Sequence, residues 1–233
     1  MVKEYPIRNE HGGASISGFC ESRNHEIIIS VWNGRVYHLD KEKDEFIPYP
    51  DKMRSRNPTV MVQDNEQDYF WLATWGDGVV RFDPSAPGDS MFVYSEIPVN
   101  AAGEEDGLIL SLAQDDKLGY IWLTTGHDFM ALQIQPDRTL KQLKFPAGLL
   151  PVNHMLVEVL KGKECLWVSA FDRPSFILHL MDNITKDYAL PALADRVNRS
   201  PAIMALCDDG DGMMWMMQER TGLALYDLET GIK

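Results

Sequence analysis

Several loop residues of the sequence pair flat aromatic rings with planar polar groups, the combination that proteins use to bind sugars. Aromatic rings can stack on the apolar face of a sugar, while guanidinium, carboxylate and imidazole groups bind its hydroxyls. For any one of these residues, the alternative is an ordinary exposed loop side chain. We expect a ligand-binding surface formed by Trp32, Arg56, Trp75, Asp77, His127, Asp128, Arg173 and Arg220.

The sequence contains no arrangement typical of catalysis or of metal binding. Its 6 histidines are scattered without an HExxH pair, and it has neither a GxSxG elbow nor a P-loop. The segment DDGDG at 208–212 resembles a calcium loop, but Gly210 stands where a second acidic ligand is needed, so a tight turn is the better interpretation. We therefore predict no catalytic residue, no metal site and no cofactor, and a chain that is not itself an enzyme.

The net charge indicates which partners to expect, and the cysteine positions indicate where the thiols lie. The 233 residues carry 22 basic and 35 acidic side chains, a net charge of −13. Such a chain repels phosphate backbones and anionic lipids, so we expect neither nucleic acid nor membrane contact. Three cysteines lack CxxC spacing, and the equivalent repeat positions of Cys20 and Cys207 suggest core thiols.

The elements that would position these loops are set by a repeat. Five segments align on a large apolar anchor at intervals of 43 to 51 residues, with a slightly longer hairpin in the fourth, and an acidic residue precedes four of the five anchors by seven positions. The anchors are Ile28, Trp71, Trp122, Trp167 and Trp215, and the residues seven positions earlier are Glu21, Asp64, Asp115, Leu160 and Asp208. We expect the four tryptophans to fill the space between neighbouring sheets.

Each repeat has four short β-rich runs separated by turn residues, which is typical of a propeller blade. No segment shows a sustained helical period, so the prediction is an all-β propeller of about five four-stranded blades in one domain, 1–233. The predicted units are 8–50, 51–98, 99–146, 147–192 and 193–233. In a meander, the hairpins between the second and third strands share one end of the sheets with the loops that connect successive blades.

The two ends of the chain suggest one further strand. The last unit stops after its third strand, and residues 2–7 resemble the fourth strand of the first unit, residues 45–50. Pairing of residues 2–7 with residues 223–227 would close a ring. The alternative is an open segment of a larger propeller.

The segments GDGMMW at 210–215 and FWLAT at 70–74, each followed by a glycine and a β-rich run, resemble the two-component regulator propeller repeat. That family forms the periplasmic sensor region of Bacteroides-type hybrid two-component histidine kinases. The resemblance covers nearly the whole chain and implies an extracytoplasmic sensor. The family usually carries more blades, an immunoglobulin-like domain, a membrane span and a kinase, so any kinase activity would belong to a parent protein.

Three functions remain open at this point. The first is a sensor propeller that responds to a carbohydrate fragment, with a small saccharide or other small ligand as partner. The second is a propeller lyase or hydrolase acting on a polysaccharide or cyclic peptide, since propellers support both roles. The third is a passive protein-interaction scaffold. A homodimer, or contact with other blades of the parent protein, is compatible with each.

Overall fold

The structure is a computed structural model that describes residues 3–9, 12–32, 35–50, 53–54, 57–100, 102–115, 118–143, 155–160, 165–170, 176–179, 194–196, 203–209, 211–218, 222–227 and 231–232. For some of these, including the strands between 155 and 204, the backbone alone is described. The chain divides into two compact units, Met1–Ile97 with Gly107–Ile109 and Pro98–Asp106 with Leu110–Lys233.

The first unit contains two four-stranded sheets, preceded by a two-residue ladder of β1 (Arg8–Asn9) and β2 (Gly12–Gly13). The first sheet consists of β3 (Ser15–Glu21), β4 (Ile27–Trp32), β5 (Val36–Asp40) and β6 (Glu45–Pro48). The second consists of β7 (Pro58–Gln63), β8 (Phe70–Thr74), β9 (Val79–Phe82) and β10 (Phe92–Tyr94), with a 3₁₀ turn at Gly88–Met91 before β10.

The second unit contains three sheets of the same kind. The first is β11 (Ile109–Gln114), β12 (Tyr120–Thr125), β13 (Phe129–Ile134) and β14 (Leu140–Gln142). The next is β15 (Met155–Leu160), β16 (Cys165–Ala170), β17 (Phe176–His179) and β18 (Ala194–Arg196). The last is β19 (Ile203–Asp208), β20 (Met213–Gln218), β21 (Gly222–Asp227) and β22 (Gly231–Ile232). Five antiparallel meanders confirm the predicted all-β propeller of four-stranded blades.

The acidic position seven residues before the anchor has a direct structural role. Trp71 donates its indole N–H to the Asp64 carboxylate at 2.8 Å, and Trp122 donates to Asp115 at 2.5 Å. The other oxygen of Asp64 accepts the backbone N–H groups of Glu66 and Gln67, the turn between β7 and β8. One carboxylate therefore closes the turn and orients the ring that follows it.

The core of the first unit lies between its two sheets. Ile28 and Val36 of the first sheet pack against Phe70, Leu72 and other apolar residues of the second, and all four are inaccessible to solvent. Neighbouring residues of a strand point to opposite faces of the sheet. Since Ile28 contacts the second sheet, the anchor position of the first sheet lies on the face that points toward the sheet that follows it.

The predicted burial of the anchors is confirmed in two cases and wrong in one. Trp71 and Trp122 are 1% and 0% exposed, whereas Trp215 is 40% exposed. Trp215 shares its face of the last sheet with the exposed Leu223, while the alternating Met214 and Met216 are buried. The side chain of Trp167 lies outside the described residues. An anchor is buried only when another sheet covers its face, and the repeat alone does not guarantee that.

The predicted core position of Cys207 is also wrong, because this residue pairs with Trp215 across β19 and β20 and shares its exposed face. Cys20, at the equivalent place in the first sheet, is half-buried. Burial raises the pKa of the Cys20 thiol above its ordinary value. The two thiols therefore differ in accessibility although their repeat positions match.

The predicted strand at residues 2–7 is wrong for residues 3–7, which the structure describes and which form no strand. The segment is held by side chains instead. Lys3 and the Tyr5 hydroxyl both contact Asp44, and the Tyr5 ring lies edge-on to Phe46 at 5.5 Å. The last sheet obtains its fourth strand from Gly231–Ile232. The predicted pairing of residues 2–7 with residues 223–227 is therefore wrong for residues 3–7, and an open segment of a larger propeller stays a prediction.

Candidate functional site

The described members of the predicted binding surface lie at the hairpin ends of the second strands of their sheets. Trp32 is the last residue of β4, and Trp75 follows β8 directly. Asp77 lies in the same hairpin as Trp75, and His127 and Asp128 lie in the equivalent hairpin after β12. Arg56, Arg173 and Arg220 lie outside the described residues.

In the first unit, the structure brings two of the predicted aromatic residues together. The rings of Trp32 and Trp75 lie edge to face, with centroids 5.4 Å apart and an interplanar angle of 83°. Trp75 is 48% exposed, and Trp32 is half-buried beneath it. An indole held at this angle by a second ring presents a rigid apolar surface to solvent at low entropic cost.

The backbone around Trp75 is fixed by the loop that precedes the second sheet and by the loop that follows it. The Trp75 amide donates to Asn57 O at 2.8 Å, and the amides of Gly76 and Gly78 both donate to Gly107 O, at 2.9 and 3.2 Å. A Cβ at Gly107 would lie 2.2 Å from Gly76 O, so a glycine is required for this approach. Two separate loops therefore hold the Trp75 hairpin in place.

Two polar groups and a further ring complete this surface. The Arg54 guanidinium lies 3.8 Å from the Asp77 carboxylate and 4.2 Å from the centroid of the Tyr94 ring. The Arg54 backbone N–H also donates to the Tyr94 hydroxyl oxygen. We refer to Trp32, Arg54, Trp75, Asp77 and Tyr94 as the tryptophan surface. Its charged groups are planar and partly exposed, and can bind neighbouring hydroxyls.

Sequence reasoning did not select Tyr94, and it placed the loop that contains Arg54 on this face without selecting Arg54 itself. It named Arg56 from the same loop, and the available signal was that Arg54 belongs to a loop predicted to share an end with the Trp75 hairpin. The bond between Arg54 and Tyr94 spans 40 residues, so no local pattern indicates it.

In the second unit, His127 has a carboxylate partner that the sequence did not indicate. Its Nδ1 lies 3.1 Å from Oδ2 of Asp106, a buried side chain that also accepts the Thr125 hydroxyl at 2.5 Å. The Thr125 hydroxyl oxygen accepts the backbone N–H groups of His127 and Asp128, at 3.1 and 2.9 Å. A carboxylate on Nδ1 orients an imidazole and leaves Nε2 for a ligand or a proton.

Within the described ranges, no group of three histidine, cysteine or acidic residues is placed to hold a metal ion. The same ranges contain no helix with the length and apolar character needed to cross a membrane.

Comparison with known proteins identifies the fold. No family model and no curated protein matches the chain. It is similar to the extracellular domain of BT3049 of B. thetaiotaomicron, assigned as a hybrid two-component system, with a TM-score of 0.66 and 13% identity over 94% of this chain and 29% of that one. It is similar to virginiamycin B lyase from Staphylococcus aureus, with a TM-score of 0.62 and 16% identity over 96% of this chain and 69% of that one.

A third similar structure is the β-propeller domain of Cps50 (Swd1) from Myceliophteria thermophila, with a TM-score of 0.67 and 12% identity over 97% of this chain and 72% of that one. The chain thus spans less than a third of the two-component structure and about seven tenths of the other two. Similarity at these identities extends to the fold and no further. By its sheets and by these likenesses, the chain is a β-propeller.

Proposed function

We propose that the chain is an extracytoplasmic sensor propeller of the two-component regulator type and binds a carbohydrate fragment through the tryptophan surface. The repeat consensus and the likeness to the extracellular domain of BT3049 support the sensor role. The parent protein would place it in the periplasm. Its net charge of −13 disfavours nucleic acid and anionic membranes as partners.

The observation that carries the proposal is the geometry of Trp75. A ring that is 48% exposed, supported edge-on by Trp32 and flanked by the Arg54–Asp77 pair, offers stacking and hydrogen bonding within one surface. Saccharides need both, because their ring faces are apolar and their rims carry hydroxyls. The surface is fixed by backbone hydrogen bonds, which lowers the entropic cost of binding.

A glycan array followed by calorimetry on the positive glycans tests the proposal. Trp75→Ala should weaken binding about five- to thirtyfold, the effect of removing a central aromatic contact worth ~1 to 2 kcal/mol. Trp215→Ala is the matched control, since it removes a tryptophan of similar exposure from the last sheet. Absence of glycan binding by the unmutated chain, or an equal loss of affinity in both variants, would contradict the proposal.

A lyase is the second candidate, favoured by the Asp106–His127 pair and by the likeness to virginiamycin B lyase. A carboxylate-oriented imidazole is the group that abstracts a proton in an elimination. Incubation with acidic polysaccharides and cyclic depsipeptides, followed by mass spectrometry for the unsaturated product, tests it. If the unmutated chain forms the product and His127→Ala does not, lyase activity is established. If the unmutated chain forms no product, lyase activity on those substrates is excluded.

A further inference from the structure

The first unit contains a cavity at the end of its two sheets opposite the tryptophan surface. It has a volume of about 370 Å³ and is lined by the turns that join the first to the second strand in both sheets, and by the turn after β9. Small-molecule sites have volumes of roughly 300 Å³ upward, so this cavity has room for a small ligand.

The inner wall of the cavity is apolar and rigid. Ile28 and Phe70 are inaccessible to solvent, and Tyr49 is 8% exposed. The Tyr49 ring lies against His38 at 4.9 Å and against Phe82 at 5.0 Å. These contacts belong to the core between the two sheets, so the wall keeps its shape whether or not a ligand is bound.

Two residues of the lining each have a polar atom that is buried without a hydrogen-bond partner among the described residues. These atoms are Nδ1 of His38 and Nε2 of Gln63, which belong to facing sheets. A buried polar group without a partner costs ~1 to 3 kcal/mol, and native proteins contain few of them. Both residues are only partly buried as a whole, so a side-chain rotation that turns these atoms toward the cavity would let the hydroxyl groups of a ligand pair with them. A hydroxyl can donate to the imidazole nitrogen and accept from the amide.

The charged residues at the rim of the cavity favour a cationic ligand. Glu26 and Asp68 line the cavity, and among the described residues no lysine or arginine does. Asp68 lies 3.6 Å from Arg23, which offsets its charge in part, whereas Glu26 has no ion pair among the described residues. Burial, and then the charge of Glu26, raises the pKa of Tyr49 to about 12, so this phenol stays neutral. An anionic ligand would be repelled here and a cationic one attracted.

We propose that this cavity binds a small hydroxylated amine the size of one amino sugar, with its ammonium group on Glu26 and its hydroxyls on His38 and Gln63. The inference is independent of the proposed saccharide surface, which uses other side chains at the other end of the same sheets. It assigns a second binding site to the first unit.

Three probes of nearly equal size separate charge from shape: D-glucosamine, D-glucose and D-glucuronate, titrated into the full chain and followed by NMR of its amides. We expect D-glucosamine to shift amides around the cavity and to bind most tightly, D-glucose to bind more weakly and D-glucuronate not to bind. No binding of D-glucosamine, or equal binding of D-glucuronate, would overturn the proposal.

Glu26→Gln should weaken D-glucosamine binding about three- to fivefold, the effect of losing one partly exposed ion pair, and should leave D-glucose unchanged. Glu45→Gln is the matched control, because Glu45 is an exposed glutamate of the same sheet that does not line the cavity. Trp75→Ala should leave D-glucosamine binding intact. An equal effect of Glu26→Gln and Glu45→Gln, or loss of binding in Trp75→Ala, would contradict a site at the cavity.

Discussion

Replacing Asp64 by asparagine isolates the bond between the turn and the anchor ring. The two oxygens of Asp64 divide their work: Oδ1 accepts the turn amides of Glu66 and Gln67, and Oδ2 accepts the Trp71 indole. An asparagine can keep the turn bonds through its carbonyl oxygen, but its amide nitrogen then faces the indole N–H. The variant therefore replaces one charge-assisted bond with two facing donors.

The magnitude follows from the burial of both partners. Asp64 and Trp71 are each 1% exposed, so water cannot reach the indole N–H after the change. A hydrogen bond to a charged group contributes ~1.5 to 3 kcal/mol, and the release of a buried charge offsets part of the loss. We expect Asp64→Asn to lower the free energy of unfolding by ~2 kcal/mol.

Urea unfolding followed by far-ultraviolet circular dichroism measures this loss, and a double-mutant cycle attributes it. In the Trp71→Phe background the indole N–H is absent, so Asp64→Asn should cost much less there. Asp137→Asn is a control, because Asp137 is exposed and accepts hydrogen bonds from Thr139 in its own turn. The same cost of Asp64→Asn in both backgrounds would refute the bond as the cause.

Three other changes give distinct outcomes. Burial raises the pKa of Asp115 above its ordinary value of 3.8, so the folded state holds that proton more tightly than the unfolded chain. The free energy of unfolding of the unmutated chain, relative to that of Asp115→Asn, should therefore fall as the pH rises from 3.8 through the raised value. Urea titrations in which this difference stays flat or rises would contradict the prediction. Gly107→Ala should lower the melting temperature and change tryptophan fluorescence, because its Cβ meets Gly76 O; an unchanged spectrum would argue against the close approach. Iodoacetamide should alkylate the exposed Cys207 before the half-buried Cys20, and peptide mass spectrometry showing equal rates would refute that order.

The sheets could be predicted from the sequence because each repeat carries local information. The anchor, the acidic residue seven positions earlier and the hairpin glycine act within one meander, and they recur in successive units. The exposure of Trp215 could not be predicted in the same way. Ile28 is covered by side chains of the next sheet, such as Phe70, and no pattern within a repeat reports whether such a neighbour covers the anchor.

The candidate site was predicted in part. Trp32 and Trp75 were expected on one surface and their rings are in contact, and Asp77, from the same hairpin as Trp75, pairs with Arg54. Arg54 was passed over for its neighbour in the loop, and the buried Asp106 beneath His127 was not chosen. The positions of Arg54 and Asp106 depend on contacts with residues distant in the sequence, and a local sequence pattern does not report such contacts.

The bonds that Trp71 and Trp122 make with their acidic partners also bear on how the chain folds. Asp64 and Trp71, like Asp115 and Trp122, are separated by seven residues, so little chain entropy is lost in bringing them together. All-β proteins fold slowly because most of their contacts are distant in sequence, and contacts this local reduce that delay. Each first hairpin can therefore form before its neighbours arrive. A nascent chain would then add its sheets one at a time, each onto an already ordered one.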